Sequence, residues 1–156
     1  MASKHYVEVE ILDIKVICES DGVIYEQEIK VKARDNSIFW IFDAFEYYGR
    51  DIIGKTVKLE ISMLWADMLE KLNIGELWVL NIENPPDSGC SSYLTLIGKI
   101  VAEEEVYVGE EKCPDEFVIG SGIGEFTIMK SDLSDCKVGD IIKIKTGRLD
   151  VGEIIN

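Results

Sequence analysis

Histidine is almost missing from this chain of 156 residues: His5 is the only one. It stands ahead of the first apolar segment, in what reads as an exposed N-terminal tail. Ser-His-Asp triads, Cys-His pairs and multi-histidine metal sites are therefore poorly supplied. The four cysteines, Cys18, Cys90, Cys113 and Cys136, stand far apart without a CxxC pair. They read as structural thiols. A zinc site would require all four to converge, or three with His5, without the short ligand spacing of zinc knuckles, so no cofactor or metal is expected. Long apolar runs are absent too. Ile38 to Phe42 and Leu77 to Leu80 fall far short of the roughly 20 residues that cross a bilayer, and MASKHYVEVE has no apolar signal core, so a soluble cytoplasmic protein is expected.

Basic residues are the other scarcity. Sixteen Lys and Arg face thirty Asp and Glu, a net charge of -14. The excess is evenly spread: residues 1–84 hold nine basic and sixteen acidic residues, and residues 85–156 hold seven and fourteen. Such a chain is repelled by phosphate backbones and anionic membranes, which argues against nucleic acid and membrane surfaces and in favour of a protein partner, preferably a basic one.

The apolar residues that remain, 47% of the chain, are arranged mainly with a period of two. VEVEILDIKVICE, Val7 to Glu19, alternates and then shifts phase near Leu12, the mark of a strand with a bulge. SDG turns it into VIYEQEIKVKA, a hairpin. SIFWIF follows, and then DAFEYYGRDI, with Asp43 as a candidate cap and room for a helical turn or two. IGKTVKLE, Ile53 to Glu60, is a turn and a strand. LWADMLEKLN has apolar residues at Leu64, Trp65, Met68, Leu69 and Leu72, which is helical spacing. ELWVLNIE is a strand, and NPPDSGCSS reads as a linker over about residues 84–92.

The order then recurs. YLTLIGKIVAEEEVYV is a long strand interrupted at Gly98, DEFVIGSG and GEFTIM are short strands, SDLSDC is a short turn, and VGDIIKIK, Val138 to Lys145, repeats the IGKTVKLE pattern with glycine, lysine and apolar positions in register. LDVGEII closes the chain. Two or three short helices punctuate an otherwise all-β sequence. Strand, strand, strand, short helix, strand, strand in each half resembles the oligonucleotide/oligosaccharide-binding barrel, the OB-fold, as does the GDxxxI turn and strand at Gly139 to Ile144. The resemblance implies two five-stranded barrels in tandem, over residues 1–84 and 85–156. A single larger barrel or a sandwich is the alternative.

Candidate functional residues lie in three places. EEEVYVGEEKCPDE, from Glu103 to Glu116, reads as an acidic hairpin tip, with Glu103, Glu104, Glu105, Glu110 and Glu111 as a docking surface for a basic partner. FWIFDAFEYYGR concentrates aromatics. In a strand, Phe39 and Ile41 face one way and Trp40 and Phe42 the other, so both faces need cover. Trp40, Tyr47 and Tyr48, with Arg34 and Arg50 nearby, would form a stacking platform under a single-stranded nucleic-acid reading. Asp43 and Asp132 each follow a third strand and would serve small-ligand binding or hydrolysis in a cleft between halves. GSGIG, Gly120 to Gly124, is a hairpin turn rather than a phosphate loop, since a strand and not a helix follows it. The expected function is a non-enzymatic protein-interaction or adaptor module.

Overall fold

The computed structural model describes residues 5–43, 49–75, 77–83 and 93–155. Strand β1 (Val7–Ser20) pairs antiparallel with β2 (Val23–Ala33) through a tight turn at Asp21 and Gly22, both left-handed at φ 52 and 77. The register between them shifts between Ile11 and Asp13, so the loss of alternation at Leu12 is a bulge. β3 (Ile38–Asp43) pairs with β2, and its two faces behave as the alternation requires: Phe39 and Ile41 are fully buried on one side and Trp40 is 5% exposed on the other.

After a 3-10 turn, Arg50–Ile52, comes β4 (Thr56–Leu64), followed by β5 (Asp67–Leu72) and β6 (Val79–Glu83). The second half supplies β7 (Tyr93–Val108), β8 (Glu111–Ser121), β9 (Gly124–Met129), a second 3-10 turn at Lys130–Leu133, β10 (Ile141–Lys145) and β11 (Arg148–Ile155). The eleven strands of the described residues join one mixed sheet. GSGIG is the β8–β9 hairpin turn, closing at Ser121 and Gly124. No helix among the described residues is long and apolar enough to cross a membrane.

Two expected local features are corrected. Leu64 to Asn73 does not form a helix. Trp65 is left-handed at φ 54, which ends β4, and β5 then runs along β10 from Asp67–Lys145 to Leu72–Ile141. The helical spacing there buries no stripe, since Trp65 and Leu69 are 67% and 52% exposed. A free strand edge outweighed a weak local preference. Gly98 does not interrupt β7 either. A Cβ at that position would stand 2.5 Å from Ile119 Cγ2, so the glycine lets β8 pack close.

The pairings interleave the halves. β1, β2, β3, β11 and β4 pair in a closed circuit, with β4 returning to β1 through Thr56–Glu10 to Leu59–Val7. β4 also runs parallel to β9 at Ser62–Thr127 and Met63–Ile128. From there β8, β7, β10 and β5 lead back to the chain end of β4. The last strand of the chain thus completes the first circuit, whereas β5, laid along β10, ends the path from β9 as an edge strand. One continuous core runs from Ile11, Ile29 and Ile41 through Leu59 and Ile61 to Ile100, Ile119, Phe126 and Ile142.

Internal repetition is visible atom by atom. Gly54 donates its amide to Ile11 O at 2.7 Å and Ile11 donates to Lys55 O at 2.9 Å; Gly139 donates to Ile100 O at 2.8 Å and Ile100 to Asp140 O at 2.9 Å. The bulge recurs as well, between Ile100 and Ala102 of β7. Both glycines are left-handed, at φ 88 and 101, with open space where a Cβ would go. Gly54→Ala and Gly139→Ala should each therefore lose about 1 kcal/mol in denaturant unfolding through backbone conformation alone. A cost at only one of them would mean that the turns are not equivalent. Ending the chain at Thr146 removes β11, and the cooperative unfolding transition should then be lost, as calorimetry would show.

Candidate interaction surface

The acidic segment is the outer part of the β7–β8 hairpin. Its ladder continues through Val106–Cys113, Tyr107–Lys112 and Val108–Glu111 to a two-residue turn, Gly109–Glu110, in which Gly109 is left-handed at φ 63. Beyond Glu105 nearly every side chain is exposed. Tyr107 and Val108 are 54% and 69% exposed, and Lys112 Nζ lies 5.5 Å from the Tyr107 ring centroid. An apolar pair thus stands at the end of an acidic arm.

Its acids differ in how they are held. Glu103 meets Lys130 at 2.9 Å, Glu105 accepts a hydrogen bond from the Tyr107 hydroxyl at 3.2 Å, and Asp115 meets Lys112 at 2.5 Å. Lys112 holds the Asp115 carboxyl below the usual carboxylate range. Glu110 and Glu111, at the turn, have no ion pair among the described residues.

At the root of the arm the structure corrects the reading of His5 as an exposed tail residue. Its ring lies between two carboxylates, with Nε2 2.6 Å from Glu104 Oε1 and Nδ1 3.1 Å from Glu125 Oε1, and only 16% of the side chain is exposed. Burial opposes the charged ring, but the hydrogen bonds to Glu125 and Glu104 outweigh it, so the pKa rises above 6.5. Glu116, paired across the ladder with Glu104, is pushed up by burial and by the charges of Glu60 and Glu104, with His5 pulling it back.

The other candidates are dispersed. Trp40 is 5% exposed and offers no stacking surface. Arg50 donates to Ile14 O at 2.8 Å and reaches Asp13 at 3.4 Å. Tyr47 and Tyr48 lie outside the described residues, as does Cys90. Arg34 lines a groove of about 620 Å³ with Tyr6, Glu8 and Glu125. Asp43 is fully buried and accepts a hydrogen bond from Gln27 at 2.8 Å, whereas Asp132 borders a 190 Å³ depression beside Ser134 and Cys136. Asp43 does not line that depression. Among the described residues no group of three or more His, Cys, Asp or Glu is placed to hold a metal. Cys136 is buried, with its sulfur 3.3 Å from that of Met68.

No protein family, curated protein or solved structure matches this chain.

A second cluster had no signal in the sequence beyond an Arg-x-Asp spacing within one strand. Arg148 donates to Asp150 from Nε at 2.6 Å and from Nη2 at 2.9 Å. Its guanidinium lies 4.4 Å from the Phe42 ring centroid and 4.8 Å from that of Trp65.

The root predicts a pH dependence. Because the folded pKa of His5 is raised, its stabilisation is complete below about pH 6.5 and fades as pH rises through the folded value. Thermal melts of His5→Ala should fall below wild type by about 0.5–1 kcal/mol near pH 6. The gap should shrink near pH 8.5, and a gap that is constant with pH would rule out the ionic bridge.

Proposed function

We propose that this chain is a non-enzymatic interaction module of two OB-like halves joined through β4, and that the β7–β8 arm docks a basic protein partner. The observation that carries the reading is the arm itself: exposed Tyr107 and Val108 flanked by Glu105, Glu110 and Glu111, in a chain of net charge -14. Acidic side chains around an apolar tip steer a cationic partner and set its orientation, and the desolvated aromatic holds it. Burial of Trp40 removes the best stacking group from the nucleic-acid reading. Asp43, committed to Gln27, does the same for a catalytic cleft.

The test is calorimetric titration of the full chain with a synthetic peptide rich in lysine and arginine, at low salt and at roughly 0.15 M. Wild type should bind in a salt-dependent way, and the triple variant Glu105→Gln, Glu110→Gln, Glu111→Gln should bind at least tenfold more weakly. Tyr107→Ala should weaken binding with little change in salt dependence. Equal affinity of wild type and triple variant would place the binding surface elsewhere.

A further inference from the structure

The first circuit is closed at one narrow place. Between β3 and β11 the ladder consists of the single parallel pair Phe42–Asp150. By contrast, β11 is tied to β4 from Arg148–Leu64 to Ile155–Lys58. Arg148 clamps the seam from above, bonded to Asp150 on its own strand and stacked on Phe42 of β3.

Directly beside the seam sits a carboxyl group with no matching partner. Glu28 stands opposite Lys15 on β1 and Phe42 on β3, it is 1% exposed, and both its oxygens lack a hydrogen-bond partner. A buried carboxylate left in this state is costly, and protonation relieves the cost. Burial accordingly pushes Glu28 up to about 7, with Lys15 and Arg148 pulling the other way. The charged groups around it are Lys15 from β1, Arg148 and Asp150 from β11, and Glu26 and Lys30 on β2 itself, while β3 contributes Phe42 and Trp40. Glu60 of β4 lies farther along, against Gly152.

We propose that Glu28 is a proton-controlled latch on β11: neutral, it leaves Arg148 bound to Asp150 and the seam shut, and ionised, it draws Arg148 away from Asp150 and opens the Phe42–Asp150 junction. The proton passes to solvent, and no other covalent bond changes. The sign follows from the two states. A carboxyl group with an ordinary pKa when the seam is open and a raised one when it is shut makes opening easier as pH rises between those values, by up to tenfold per pH unit.

Hydrogen exchange followed by mass spectrometry on the full chain tests the latch at about pH 5.5 and 7.5, on either side of the ionisation. After correction for intrinsic rates, β11 amides should exchange at least tenfold faster at the higher pH relative to those of the β8–β9 hairpin. In Glu28→Gln that ratio should be independent of pH. A pH-independent ratio in wild type, or a variant that follows wild type, overturns the proposal. If Glu28→Gln does not fold, carboxyl 13C titration of wild type decides. A Glu28 midpoint near neutrality coinciding with the change in β11 exchange supports the latch, and an ordinary midpoint overturns it.

Discussion

Both edges of β4 are in use along its length, and the rest of the molecule depends on that. One edge carries β1 and then, where β1 ends, β9; the other carries β11. Leu59, Ile61 and Met63 alternate into the core while Lys58, Glu60 and Ser62 face outward. A slip of one residue would exchange these two sets, exposing three core side chains and burying two charges, which fixes the register of all three neighbours at once. Through β4 the first circuit and the path from β9 become one hydrogen-bonded sheet with one core. The first is closed by β11, which follows neither β3 nor β4 in the chain.

This arrangement explains what was legible in the sequence and what was not. Local features were: the bulge at Leu12, the turn at Asp21–Gly22, the hairpin through Gly122 and the matched turns at Gly54 and Gly139 each depend on residues a few positions apart. Strand exchange was not, because β11 reads as an alternating strand whichever pair of neighbours receives it. β5 was misread for a related reason. Its apolar spacing is that of a helix, and the open edge of β10 that turns it into a strand lies some seventy residues away. The acidic arm was visible as composition. The Arg148 clamp was not, since Phe42, Trp65 and Asp150 come from three separate stretches of chain.

Charge follows the same logic. With acids nearly twice as numerous as bases, several cations are placed at joints. Arg148 is at the β3–β11 seam, Lys130 ties the second 3-10 turn to Glu103, and Lys71 holds β5 to Asp140 at 3.5 Å, a carboxyl kept below its usual range first by the backbone amide of Lys137 and then by Lys71. Exposed pairs of this kind stabilise little individually. Their placement at joints leaves the tip acids of the β7–β8 arm without partners of their own among the described residues, which gives a cationic surface something to meet.

The repetition also shows where the halves have diverged. Matching the bulges and the Gly54 and Gly139 turns sets the Lys15–Glu28 pair of β1 and β2 against the Glu104–Glu116 pair of β7 and β8. The first couples opposite charges and the second like charges, and like charges directly opposite on a ladder repel. Both Glu28 and Glu116 are raised above the normal carboxylate value, with burial the largest cause in each case. What differs is the cation. In the first half it is Lys15 on the neighbouring strand. In the second half it is His5, which comes from the far end of the chain and bonds Glu104 and Glu125 together. A lysine stays charged across the physiological range, whereas a histidine does not. The cation beside this position is thus constant with pH in one half and pH-dependent in the other, and the pH-dependent one is at the root of the arm that carries Glu110 and Glu111.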